Sequence, residues 1–159
     1  MELRTRAAVT IARPRPEVYD FAVANETLAR VLVKLGPIPG IARAEFAGGG
    51  SSLAAGVQRR VAMTDGSVIE EEVLEAERPR VHRYRWLRGL RPPFSLMVRS
   101  GEACWTFTDA GGGTQIEWVY VFELRSPLVY PVAAPVIRLF RRWMQAGLDR
   151  IRAELSPAA

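Results

Sequence analysis

The C-terminal stretch constrains the fold most. From about Pro135 to Leu155, the residues Val136, Phe140, Trp143, Gly147, Ile151 and Leu155 recur at three- and four-residue steps, forming one apolar stripe. Arg138, Arg141, Arg142, Asp149, Arg150, Arg152 and Glu154 fall mostly off it. The spacing predicts one long amphipathic helix, with Tyr130 to Ala134 as a separate lead-in turn around Pro131. The other helical signals are short, so this stripe needs a sheet to lie on.

The sheet is legible upstream. Leu3 to Ala12 alternates as an opening strand, and Arg13-Pro14-Arg15-Pro16 breaks it. Pro16 and Glu17 start a helical stretch, with a joint at Asn25 that divides it into two short helices ending before Gly36-Pro37-Ile38-Pro39-Gly40. Strands are then expected at Ile41 to Ala47, Val57 to Thr64, Ser67 to Glu77, Arg80 to Leu90, Ser95 to Asp109 and Thr114 to Ser126. Glycine, proline and Asp-Gly turns separate them, and the local hairpins make the sheet antiparallel. The expected architecture is α+β: a curved antiparallel sheet of six or seven strands wrapped around the C-terminal helix, with two short helices after the first strand. One domain is expected over residues 1–156, with a short tail at 157–159.

Alternation also sorts the side chains. His82, Tyr84 and Trp86 share one face of their strand, and Met97, Trp105 and Phe107 share a face of the next, with Arg99 between them. Ile116, Trp118, Tyr120, Phe122 and Leu124 share a face of the last. Three aromatic groups together belong inside, facing Phe140 and Trp143 of the helix. A two-residue turn at Asp65-Gly66 would pair Arg60 with Glu71 and Arg59 with Glu72, placing Arg59, Glu70 and Glu72 on the inner, more apolar face. Such a cluster is either a polar feature at a cavity edge or a solvated cross-strand ion pair. The aromatic pattern alone likewise fits a solid core or a lined cavity.

Three runs carry a family resemblance. Ile11-Ala12-Arg13-Pro14-Arg15-Pro16-Glu17-Val18-Tyr19-Asp20-Phe21 looks like the opening element of SRPBCC (START-like) proteins, a superfamily that includes polyketide cyclases/dehydrases. Glu72 to Arg80 is similar to that group's strand ending in a Pro-Arg turn, and Gly113-Thr114-Gln115-Ile116-Glu117-Trp118-Val119-Tyr120-Val121-Phe122 resembles its penultimate element. The resemblance implies a helix-grip fold around a ligand cavity. It implies no single activity and carries over no catalytic residue.

With the cavity so implied, Tyr84, Trp86, Met97, Trp105, Trp118, Tyr120, Arg59, Glu72, Phe140 and Trp143 are the candidate ligand-binding residues. His82 is the acid–base candidate, because its ordinary pKa lies near neutrality. A hydrogen-bonded or half-exposed histidine is the competing reading. The leading functional expectation is binding of a small hydrophobic molecule (lipid, polyketide or isoprenoid) with the cavity mouth near Gly89 to Phe94. A polyketide cyclase/dehydratase using the same cavity, and an interaction domain with a collapsed cavity, are the alternatives.

Composition narrows the partners. The net charge is +5, almost all of it arginine, since Lys34 is the one lysine. The arginines are spread among acidic residues, not gathered in a block with interleaved aromatics, which argues against nucleic acid. One cysteine, Cys104, and one histidine leave too few soft ligands for zinc, and no cofactor is expected. The lone cysteine and the lack of an apolar leader in the first residues make a cytoplasmic location the expectation. Peripheral membrane contact stays open: Leu128, Val129, Tyr130, Val132, Val136 and Ile137 either dip into an interface beside Arg138, Arg141 and Arg142 or seat the helix on the sheet.

Overall fold

The computed structural model describes residues 1–50 and 52–156; the tail expected at 157–159 lies outside the described residues. The chain runs β1 (Glu2–Ile11), α1 (Arg15–Val23), α2 (Asn25–Val31), β2 (Ile41–Phe46), β3 (Gln58–Met63), β4 (Val68–Glu77), β5 (Val81–Arg88), α3 (Phe94–Met97), β6 (Val98–Ala110), β7 (Gly113–Leu124) and α4 (Tyr130–Leu155). The strands form one antiparallel seven-stranded sheet in the order β1-β7-β6-β5-β4-β3-β2. This is the helix-grip architecture.

The β6–β7 hairpin is the backbone of the core. Its inner faces bury Trp105, Phe107, Ile116, Trp118 and Phe122 almost completely. The second half of α4 lies on them and on β1 with Met144, Leu148 and Ile151. Truncating one such aromatic to alanine costs about 3–5 kcal/mol in a packed core. Edge strand β1 is closed by the helix: Gln145 Nε2 donates to the Ala8 carbonyl at 2.9 Å, and Ala8 N–H donates back to Gln145 Oε1 at 3.3 Å. An open strand edge is a template for unwanted pairing, and this side chain satisfies it at Ala8.

Three expectations need correction. Helix α4 starts at Tyr130 and runs through Pro135, so Tyr130 to Ala134 are its first turns and not a separate lead-in. The proline is tolerated because it and Pro131, whose carbonyl it leaves without a helical donor, are both on the exposed side. The strand expected from Ser95 begins at Val98, because Pro93 already has helical dihedrals and starts the one-turn α3. An irregularity between Val98 and Ser100 then shifts the alternation. Met97 stays inside, while Arg99 points out and pairs with Glu123 at 3.4 Å.

The third concerns the β3–β4 hairpin. A two-residue type I′ turn needs positive φ at both Asp65 and Gly66, but only Gly66 has it, at 87°. The loop is instead three residues long: Met63 N–H donates to the Ser67 carbonyl at 2.8 Å and Gly66 N–H to the Met63 carbonyl at 3.1 Å. Asp65 steadies it by accepting from Ser67 N–H at 2.9 Å. The register therefore slips by one, pairing Arg59 with Glu71 and Gln58 with Glu72. On β4 the inner face is Ile69, Glu71 and Val73, and Glu70 and Glu72 belong to the other face.

Candidate functional site

The first half of α4 does not fill the space beneath it. Between it and the inner faces of β3, β4, β5 and β7 lies a cavity of 270 Å³. Arg59, Tyr84, Trp86, Met97, Trp118, Tyr120, Phe140 and Trp143 line it. Three loops also contribute: Pro37–Pro39, the β3–β4 turn, and Gly89–Phe94. Arg91 Nη2 joins the last two by donating to the Gly66 carbonyl at 3.3 Å.

Three candidates are placed elsewhere. Trp105 lies behind the wall, its ring stacked on Trp118 at 4.3 Å. Glu72 faces outward and meets Arg85 at 3.3 Å, so the inner carboxylate is Glu71. His82 is buried beside Tyr84, the ring centres 5.0 Å apart, and is not part of the lining.

The cavity has one polar wall. Arg59 and Glu71 form a buried ion pair, with Nη2 at 2.6 Å and Nε at 2.8 Å from the same carboxylate oxygen. Arg59 Nη1 donates to Asn25 Oδ1 at 3.3 Å, which ties β3 to α2. The guanidinium also lies 5.5 Å from the centre of the Tyr84 ring, and the Tyr84 and Tyr120 hydroxyls are 3.1 Å apart. Burial works against the Arg59 charge, but Glu71 beside it carries its pKa above the ordinary value. Burial raises the Glu71 carboxyl, with Arg59 pulling it back.

Burial, and then the Glu71 charge, push Tyr84 up to about 12. Burial and the neighbouring Tyr84 push Tyr120 well above its ordinary value. Both phenols therefore stay protonated near neutral pH and can donate hydrogen bonds. The indole N–H groups of Trp118 and Trp143 have no hydrogen-bond partner among the described residues. This wall can hold an oxygen acceptor against a charged guanidinium and neutral hydroxyls.

Glu71 and Asn25 escaped the sequence reading. Glu71 was hidden by the assumed turn. The signal that would have found it is the Thr64-Asp65-Gly66 triplet, in which glycine alone takes the left-handed position. Asn25 stands in the sequence as a joint between two helices, and nothing there marks its contact with Arg59.

His82 has a pH consequence. Burial, and then the Arg59 charge, hold its pKa well below 6.5, and its Nδ1 has no hydrogen-bond partner among the described residues. In the unfolded chain it takes up a proton as pH falls through about 6.5, and the native protein does not follow. Its contribution is thus complete above that pH and is lost on acidification, by about 1.4 kcal/mol per pH unit. Glu71 acts with the opposite sign, so the comparison is with His82→Phe. Denaturant melts from pH 7 to 5.5 should show the parent losing this increment relative to the variant. Parallel curves would mean that His82 titrates normally in the native state.

A family model described as polyketide cyclase/dehydrase and lipid transport matches residues 2–156. No curated protein matches the sequence. Among solved structures, truncated norcoclaurine synthase from Thalictrum flavum is similar with a TM-score of 0.73 at 12% identity, covering 100% of this chain and 96% of that one. Major latex-like protein 151 from Panax ginseng has a TM-score of 0.70 at 12% identity, with 98% and 99% covered. The di-domain ARO/CYC BexL from the BE-7585A biosynthetic pathway has a TM-score of 0.72 at 16% identity. There 99% of this chain covers 51% of the other, so one copy of this fold spans about half of that protein.

Proposed function

The chain belongs to the polyketide cyclase/dehydrase and lipid transport family, and we propose that its cavity binds one compact, mainly apolar molecule through an uncharged oxygen at one end. The observation that carries this reading is the pairing of an apolar cavity with a single polar wall, Arg59–Glu71 beside Tyr84 and Tyr120. Because Glu71 already balances the guanidinium, a carbonyl or hydroxyl suits the wall better than a second carboxylate. At 270 Å³ the cavity stands at the small end of the range for ligand pockets, about 300–1,000 Å³. That favours a two- or three-ring polyketide- or isoprenoid-like skeleton over a long acyl chain. An interaction domain with a collapsed interior does not suit an open cavity of this size.

A second reading has its own observation. Glu71, raised by burial, lies in the lining next to Arg59. A ligand carbonyl held by Arg59 could lose an adjacent proton to this carboxylate while the tyrosines donate to the enolate oxygen, the chemistry of a cyclase/dehydratase.

The test compares 2-naphthol with naphthalene. The parent should bind the naphthol about 10- to 100-fold more tightly, since a hydrogen bond to a charged group contributes about 1.5–3 kcal/mol. In the Arg59→Met/Glu71→Leu double variant the preference should shrink to what the neutral Tyr84 and Tyr120 hydroxyls supply, about 2- to 10-fold. Equal affinities in the parent would remove the polar wall from recognition. Native mass spectrometry of the purified protein, with extraction of what co-purifies, would then identify the natural ligand.

A further inference from the structure

The most exposed large apolar side chains among the described residues gather at one corner. Leu128 is 89% exposed, Leu96 65% and Val132 63%. Leu96 lies on α3, Leu128 in the short 3-10 turn before α4, and Val132 in the first turn of α4. Arg125 holds α3 to this corner: its N–H donates to the Met97 carbonyl at 2.9 Å and its Nε to the Ser95 carbonyl at 2.6 Å. On the same elements Phe94, Met97 and Val136 turn inward and line the cavity. The exposed apolar corner is therefore the outer side of the cavity's own wall.

Its charge is one-sided. Residues 88–101 and 124–148 contain seven arginines and no aspartate or glutamate. Arg88 and Arg99 are engaged by Glu70 and Glu123, but Arg138, Arg141 and Arg142 have no salt-bridge partner among the described residues. Leu128, Val132, Pro135, Arg138 and Arg142 are all exposed and follow one another at three- and four-residue steps, so apolar and cationic groups share one stripe. A protein in water rarely leaves such a patch uncovered. An acidic protein surface would meet the arginines only. An anionic bilayer meets both halves, taking the apolar side chains at the acyl boundary and the guanidinium groups at the phosphates. No described helix is long and apolar enough to cross a membrane, so the contact would be peripheral.

We propose that this corner, Leu96, Leu128 and Val132 with Arg138 and Arg142, docks the protein on anionic phospholipid bilayers and sets the cavity wall against the membrane. The surface stands independently of what the cavity holds. The test is co-sedimentation with phosphatidylcholine vesicles, with and without phosphatidylglycerol, at low and raised salt. Binding is expected to the anionic vesicles only and to weaken with salt. Arg138→Gln/Arg142→Gln should lower partitioning by about fivefold for each arginine removed. Leu128→Glu/Val132→Glu should lower it by at least about tenfold, with unchanged unfolding midpoint because both sites are exposed. Absence of binding to anionic vesicles overturns the proposal. So does binding that the leucine–valine variant leaves intact, which would be adsorption by charge alone. A variant that instead turns a dimer into a monomer in light scattering, with no vesicle binding in the parent, would make the corner a self-association surface and overturn it as well.

Discussion

Arg59→Ala lowers the stability of this protein by about 3–5 kcal/mol, because it leaves Glu71 buried without its cation. At about 2–4 °C per kcal/mol for a domain of this size, the melting temperature falls by about 6–20 °C. The cost comes from the abandoned charge and not from the pair itself, since taking two ions out of water offsets most of their attraction. Removing both charges together should therefore restore the protein. Arg59→Met/Glu71→Leu should melt close to the parent or above it, while losing most of the preference for an oxygen-bearing ligand. Thermal melts of the three proteins decide it. A stable single variant would mean that water reaches Glu71; a double variant as weak as the single would mean that the pair stabilises the fold outright. The double variant separates a site retained for binding from one retained for folding.

The second large effect is at a residue that touches no ligand. A β-carbon on Gly101 would stand 2.7 Å from two ring atoms of Trp86, so the glycine lets the indole lie against β6. On its other side Trp86 meets Tyr120, Phe94 and Phe140, and it lines the cavity. Gly101→Ala should drive the ring into that space. Overpacking of this kind costs about 1–3 kcal/mol, and a filled cavity should weaken 2-naphthol binding by at least about tenfold, a loss of about 1.4 kcal/mol. Gly101→Ala/Trp86→Leu should recover both, because the smaller side chain no longer needs the flat seat. Parental affinity in the single variant would show that the strand yields instead of the ring, and that Gly101 does not set the depth of the cavity.

How far the sequence could be read depended on how differently the two faces of each strand were written. β7 alternates without ambiguity: Ile116, Trp118, Tyr120, Phe122 and Leu124 are all buried, as their pattern requires. β4 reads Val-Ile-Glu-Glu-Glu-Val-Leu-Glu-Ala-Glu, with apolar and acidic residues on both faces, so its pattern could not choose between them. The choice fell to one loop dihedral at Asp65, which the sequence does not display. That single step exchanged Glu72 for Glu71 and turned an expected edge cluster into the buried polar wall. The irregularity near Arg99 had the same effect on a smaller scale. Seven strands, two short helices and a closing helix were legible because they rest on periodicity over many residues. The interior geometry was not, since it depends on where that periodicity slips.

Helix α4 meets the sheet in two ways along its length. Up to Trp143 it borders the cavity; beyond it Met144, Gly147, Leu148 and Ile151 are sealed in the core, with Gly147 so close to Leu32 that a β-carbon would stand 2.3 Å from that side chain. Substitutions in the first stretch can reshape what the cavity accepts, while those in the second put folding at risk. A lineage carrying this arrangement can explore new ligands through one half of a helix without reopening the packing that the other half secures. Descendants with different tastes should accordingly differ most before Trp143 and least after it.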